Sequence, residues 1–324
     1  MPAQRRIKLG KLKLASSDRH TISSKVISEL KKSMTQKVVD FTEIRDAKIH
    51  AKNLSKSVIS HEKMADYDPI HAIYIYAQNT ISVLIEQLCE LKPLMTLNNA
   101  YADAEESYMP SGPPASPLTK SYFTCWGFFD LCTGMQRESL GTVAIDVSRA
   151  LSMDQGLIKI FEYMEKSRMG FYIHEGVSGK FVYLREIITQ QRIKAFSASG
   201  YVGKAGEIWY TRVMPEPFPE LQFGYSVIFT SPYIMTEIID GRVILAREEN
   251  WLSFFDRNLA QTGIKDNRRA YEHMMKYGLN KNYWNEFIMD AYVNHQSDMI
   301  YLAGYHDIPL SKPHSRESQK KMGY

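Results

Sequence analysis

The stretch that decides the fold runs from Arg168 to Met235. Five segments in it carry the signal: Phe171-Tyr172-Ile173, Phe181-Val182-Tyr183-Leu184, Ile193-Lys194-Ala195-Phe196, Glu207-Ile208-Trp209-Tyr210-Thr211-Arg212-Val213 and Tyr225-Ser226-Val227-Ile228-Phe229. Each is rich in the β-branched and aromatic side chains that fit a pleated surface, and turn-forming residues separate it from the next. Together they predict at least four antiparallel strands in a small barrel, SH3-like or OB-like, embedded between helical blocks. Gly200, Gly203 and Gly206 precede the Glu207 segment. No Lys-Ser/Thr follows them and no helix opens there, so they suit tight turns at barrel corners and not a phosphate loop or a dinucleotide fingerprint. His174-Glu175 and Arg185-Glu186 are placed to form an ionic network on one rim.

Towards the N-terminus, Asp68 is a helix cap with Pro69 in the first turn. Ile70, Ile73, Ala77, Ile81, Leu84, Leu88 and Leu91 then recur at helical spacing, so a helix buried over most of its circumference is expected from Asp68 to Leu91. Val38 to Ala65 carries a narrower stripe (Phe41, Ile44, Ala47, Ala51, Leu54, Val58), which predicts an αα-hairpin turning at Tyr67-Asp68-Pro69. His50, His61 and His71 lie on these helices without metal-binding spacing. From Lys92 to Lys120 periodicity is lost, and Met109 to Pro117 cannot be helix interior because of its prolines. A structured wrap over the surface is expected there, with a linker or an active-site loop as alternatives. Tyr122 to Asp130, dense in aromatics, reads as a core segment, and Cys125 and Cys132 as inert thiols with no histidine nearby. A short amphipathic helix from Asp154 to Ser167 is expected to stop at Gly170.

Towards the C-terminus, helices are expected from Glu248 to Leu259, from Asn267 to Tyr277, and from Asn282 through Trp284, Phe287, Ile288, Ala291 and His295. The resulting architecture is α+β: an N-terminal helical hairpin, a central barrel-like module and C-terminal helices. Its segments are 1–37, a basic arm with a short helix; 38–108, hairpin and connector; 109–167, proline-rich loop, aromatic core segment and helix; 168–240, the barrel; and 241–324, a helical region with a basic tail.

With 324 residues, 44% of them apolar, the chain can bury one large or two moderate cores without a metal or disulfide. Cys89, Cys125 and Cys132 form no CxxC pair, which fits a reducing, cytoplasmic compartment. No window approaches the roughly 18 apolar residues of a membrane span. The formal net charge is +4, yet residues 1–37 hold ten Lys or Arg against Asp18 and Glu29, so the basicity is concentrated in the arm. Arg5, Arg6, Lys8, Lys11 and Lys13 are its candidate nucleic-acid contacts.

Ser167-Arg168-Met169-Gly170-Phe171-Tyr172, Leu184-Arg185-Glu186 and Gly200-Tyr201-Val202-Gly203-Lys204-Ala205-Gly206-Glu207-Ile208-Trp209-Tyr210-Thr211-Arg212, with the proline that follows at Pro215, resemble a pattern found in uncharacterised bacterial proteins. The likeness spans about Pro110 to Pro313. It implies a shared fold and transfers no activity, cofactor or site residue.

Two classes of function follow. The first is a non-catalytic interaction or regulatory protein, binding nucleic acid or a protein through the barrel and the basic arm. The alternative is a metal-dependent hydrolase or nuclease centred on Glu286, Asp290 and His295, with Asn294 and Asp298 near. Neither Glu-x-x-His nor His-x-x-x-His occurs in that segment, and no nucleophile elbow, phosphate loop or zinc motif stands elsewhere, so the first is preferred.

Overall fold

Strand pairing turns the alternating segments into a closed barrel. The computed structural model describes residues 21–36, 64–109, 119–240, 242–278, 293–295 and 300–303. β1 (Met169–Ser178), β2 (Phe181–Glu186) and β3 (Arg192–Ser197) form an antiparallel meander. β4 (Ile208–Met214) returns to pair with β1, and β5 (Ser226–Ile228) inserts between β3 and β4, which closes the barrel in the order β1-β2-β3-β5-β4. Of the two expected forms this is the OB-like one, because the order departs from a simple meander. The β3–β5 pairing is parallel, with Ala195 opposite Ser226. A bulge between His174 and Gly176 lets β1 bend from one neighbour to the other.

β6 (Tyr233–Ile239) extends the sheet beyond β4 and carries β7 (Arg242–Leu245) in a hairpin. It also pairs in parallel with β9 (Ile300–Ala303), which is antiparallel to β8 (Val293–His295). The helices are α1 (Ile22–Gln36), α2 (Pro69–Leu88), α3 (Met95–Tyr108), α4 (Lys120–Phe129), α5 (Leu140–Ala150), α6 (Gln155–Lys166), α7 (Glu248–Leu259) and α8 (Asn267–Tyr277). Glu138 fixes the start of α1 by accepting the Ile22 and Ser23 amides at 2.6 and 2.9 Å.

Three apolar groupings follow from the pleat. Inside the barrel lie Tyr172, Val182, Leu184, Ala195, Trp209, Ile228 and Ile234. The opposite faces of β1 and β4, with Phe171, Ile173, Ile208 and Tyr210, pack against Trp126 of α4, Trp251 and Phe255 of α7 and Tyr271 of α8. A third core joins α2, α4, α5 and α6 to Met214 and Val227. Between helices and barrel, Arg212 is fully buried and pairs with Asp130, while Lys276 donates to Asp130 Oδ1 at 3.0 Å and to the carbonyls of Phe129, Glu165 and Ser167. These two cations hold α4, α6, α8 and β4 at one point.

Several expectations change. The aperiodic region from Lys92 contains α3, and α5 occupies a stretch for which no element was expected. Among its described side chains α3 buries Leu97 and Ala104 and half-buries Ala100 and Tyr101 amid polar residues, so its stripe is faint in sequence. Gly170 does not stop α6, which ends at Lys166 with Ser167 as its cap; it sits inside β1, where a Cβ would meet Glu186 Oε1 at 2.6 Å. Val293–His295 form a strand, so the expected helix through His295 does not reach it; pairing with β9 overrides the helical spacing. The first hairpin helix expected from Val38 and the proline-rich loop Pro110–Pro117 lie outside the described residues. The glycine turns hold: Gly200, Gly203 and Gly206 have φ of 85°, 65° and 91°. Among the described residues no helix is long and apolar enough to cross a membrane.

Candidate functional site

Among the described residues the helices leave one outer face of the barrel uncovered, that of β2 and β3, where Tyr183 and Arg192 are exposed and Phe181, Arg185, Lys194 and Phe196 half-buried. Because side chains alternate, Val182 and Leu184 point inward, whereas Phe181, Tyr183 and Arg185 point outward opposite Phe196, Lys194 and Arg192. Aromatic and cationic side chains therefore interleave across the strand pair. Lys194 Nζ lies 4.2 Å from the centre of the Phe181 ring, and Lys180 Nζ lies 5.1 Å from that of Phe196. Phe181 and Tyr225 are in ring contact at 4.8 Å, and Tyr183 is 39% exposed.

The two ends of this face are held by carboxylates at helix N-termini. At one end Asp68, the N-cap of α2, accepts the Ile70 amide through Oδ1 (3.1 Å) and both Lys180 Nζ (3.0 Å) and Tyr225 Oη (2.9 Å) through Oδ2. Burial, then the Asp68 charge, pushes the Tyr225 phenol well above the usual tyrosine range. At the other end Arg185 makes a two-point contact with Glu248 of α7 (3.1 Å each) and donates to Glu175 at 3.1 Å. Half of the expected rim network is thus present. Its other half is rearranged: Glu186 points inward to Arg168, and His174 is buried, its Nε2 2.9 Å from the Val202 carbonyl.

Where β3 begins, the barrel wall opens into a cleft of about 430 Å³. Tyr172 and Glu186 form its floor, and α6, β3 and the β4–β5 loop form its walls. Arg168 grips Glu186 with two hydrogen bonds (2.6 and 3.1 Å), and Thr189 donates a third at 2.5 Å. Burial works against the Arg168 charge, but Glu186 outweighs it and holds the guanidinium above its ordinary pKa. Burial, reinforced by Glu186, pushes the Tyr172 phenol far above the usual range. Among the described residues the cleft is lined by four cations, Lys166, Arg168, Arg192 and Lys194, against two carboxylates, Glu186 and Glu216.

A second polar cluster surrounds Glu165, whose carboxylate accepts from Ser139 Oγ at 3.0 Å and Thr142 Oγ1 at 3.2 Å. Burial, against the pull of Lys276, raises its pKa to about 7. Burial likewise pushes the Cys125 and Cys132 thiols up to about 11 and about 12, which keeps them protonated and unreactive near neutrality. Among the described residues no group of three His, Cys, Asp or Glu is arranged to hold a metal.

The residues expected from sequence fall elsewhere. Arg5, Arg6, Lys8, Lys11, Lys13, Glu286 and Asp290 lie outside the described residues, and His295 ends β8 opposite Ile300. The outward set Phe181, Tyr183, Lys194 and Phe196 is not among the residues expected from sequence, although its alternation with the inward Val182, Leu184 and Ala195 is a period-two signal in the sequence itself. Comparison with protein-family models, curated proteins and solved structures finds no match.

Proposed function

We propose that the barrel is a non-catalytic binding module for single-stranded nucleic acid, which lies across the outer face of β2 and β3, with Arg5, Arg6, Lys8, Lys11 and Lys13 of the basic arm adding phosphate contacts. The observation that carries this is the interleaving of Phe181, Tyr183, Phe196 and Tyr225 with Lys180 and Lys194 on the barrel face that no described helix covers. Every base has a flat face to stack on an aromatic ring, and every linkage has a phosphate for a lysine, so such a surface suits a strand of any sequence. The strand 2–3 face is also where barrels of this topology bind oligonucleotides. A base stacking on Phe181 takes the place now held by Lys194 and frees that ammonium for the adjacent phosphate.

The test is fluorescence anisotropy with a labelled oligothymidine over a series of salt concentrations. Tyr183→Ala, at an exposed position, should weaken binding by about 1–3 kcal/mol, the usual value of one stacked base. Lys194→Glu should make the slope of log K against log salt shallower by about 0.7, one single-strand phosphate contact. Deleting residues 1–13 should flatten it further. Absence of binding at low salt, or binding indifferent to both substitutions, removes nucleic acid as the ligand of this face.

A further inference from the structure

We infer that the cleft at the barrel mouth receives a phosphate monoester, carried on the end of the strand that lies on the β2–β3 face. The strand part rests on the function proposed above; the phosphate part rests on the cleft alone. Arg192 and Lys194 belong to both places, since they project from the outer face of β3 and also line the cleft. A chain crossing the face is therefore led to the opening.

The cleft has the chemistry of a compact dianion site. Its two carboxylates are already engaged, Glu186 by Arg168 and Thr189, and Glu216 by the amides of Phe223 (2.6 Å) and Gly224 (3.2 Å). Among the described residues no carboxylate of the cleft pairs with Lys166, Arg192 or Lys194; Arg192 meets Glu175 only on the outer surface, at 3.2 Å, with its side chain 76% exposed, and Lys194 rests its ammonium on the Phe181 ring, an uncharged partner. The backbone contributes as well. Pairing of β3 with β5 starts at Ala195 and Ser226, so the β5-side edge of Arg192–Lys194 has no strand partner among the described residues and offers peptide groups to the cleft.

Shape and charge both favour a chain end. The floor of Tyr172 and Glu186 stops a strand from running through, and the volume is that of a small-ligand pocket. A monoester carries about −1.5 to −2 at neutral pH, against a single charge for an internal diester, and so gains more from the same cations.

The experiment compares oligothymidines ending in a hydroxyl, a 5′-phosphate or a 3′-phosphate, alongside adenosine 5′-monophosphate and inorganic phosphate followed by amide NMR. One phosphorylated end should bind about fivefold more tightly than the hydroxyl end, the effect of one partly exposed ion pair. Lys166→Gln and Arg192→Gln should each abolish that preference while Lys166→Gln leaves affinity for the hydroxyl-ended strand unchanged. The monophosphate should shift the amides of Arg192–Lys194 and Ser226. Equal binding of all three oligomers overturns the strand-end assignment and leaves the face proposal intact. If no oligomer binds but the monophosphate shifts those amides, the face proposal falls and the cleft stands as a site for free phosphate monoesters. If neither binds, both are overturned.

Discussion

Replacing Asp68 tests how the helical block is fastened to the barrel. Asp68→Ala removes three interactions at once: the cap of α2, the acceptor for Tyr225 Oη, and the partner of Lys180. Loss of the cap costs about 1 kcal/mol. The Tyr225 hydrogen bond goes to a charged oxygen, at the low end of about 1.5–3 kcal/mol because the ring is only half-buried. The Lys180 pair adds little, about 0–1 kcal/mol, since the lysine is 55% exposed. The sum is about 2.5–3.5 kcal/mol for Ala, whereas Asp68→Asn keeps a capping oxygen and should lose about half as much. An unfolding entropy of about 2.1 cal/mol/K per residue over the whole chain makes this a fall in Tm of about 4–5 °C for a single cooperative transition. Calorimetry and urea titration read the loss, and a cycle with Tyr225→Phe should show non-additivity of about 1 kcal/mol. Equal losses for Ala and Asn, or additivity in the cycle, would refute the view that one carboxylate serves both helix and barrel.

Other perturbations probe the interior. The raised pKa of Glu165 means that its stabilising contribution is complete below the unfolded value of 4.5 and declines as pH rises to about 7. Glu165→Gln should therefore match or exceed wild type at neutral pH and lose that advantage near pH 4.5, a differential of up to about 3 kcal/mol, and parallel stability profiles for the two proteins would rule this out. Asp130→Ala leaves Arg212 and Lys276 buried without their carboxylate, so a loss of about 3–5 kcal/mol is expected in urea unfolding, and a loss under about 1 would show that the pair is dispensable. Gly203→Ala puts a Cβ 2.4 Å from the Trp209 ring at φ +65°, which should destabilise by more than about 1 kcal/mol and perturb the tryptophan fluorescence; an unchanged spectrum and midpoint would contradict the close approach.

The barrel strands were legible because alternation and glycine turns coincide in Phe171–Phe229. Their closure was not, since a period of two fixes which side a residue faces and not which strand it meets; the parallel match of Ala195 with Ser226 is set by the long β4–β5 loop. α2 declared itself through Asp68 and Pro69, while α3 hid in Met95–Tyr108, where a few small or intermittent apolar residues leave a weak stripe. The open face was half legible. Phe181, Tyr183 and Lys194 could be assigned to one side of their strands, but that the described helices cover β1 and β4 and spare β2 and β3 depends on packing between segments far apart in the chain.

The two-sided burial of β1 and β4 bears on how far the barrel can be treated as a transplantable part. A fragment cut at 168–240 would carry its own interior, yet it would bare Phe171, Ile173, Ile208 and Tyr210, which the helices now cover, and strand Arg212 without Asp130. Such a piece would be adhesive and short of its counter-ion, so grafting or dissecting the open face calls for keeping α4 through α8 with it.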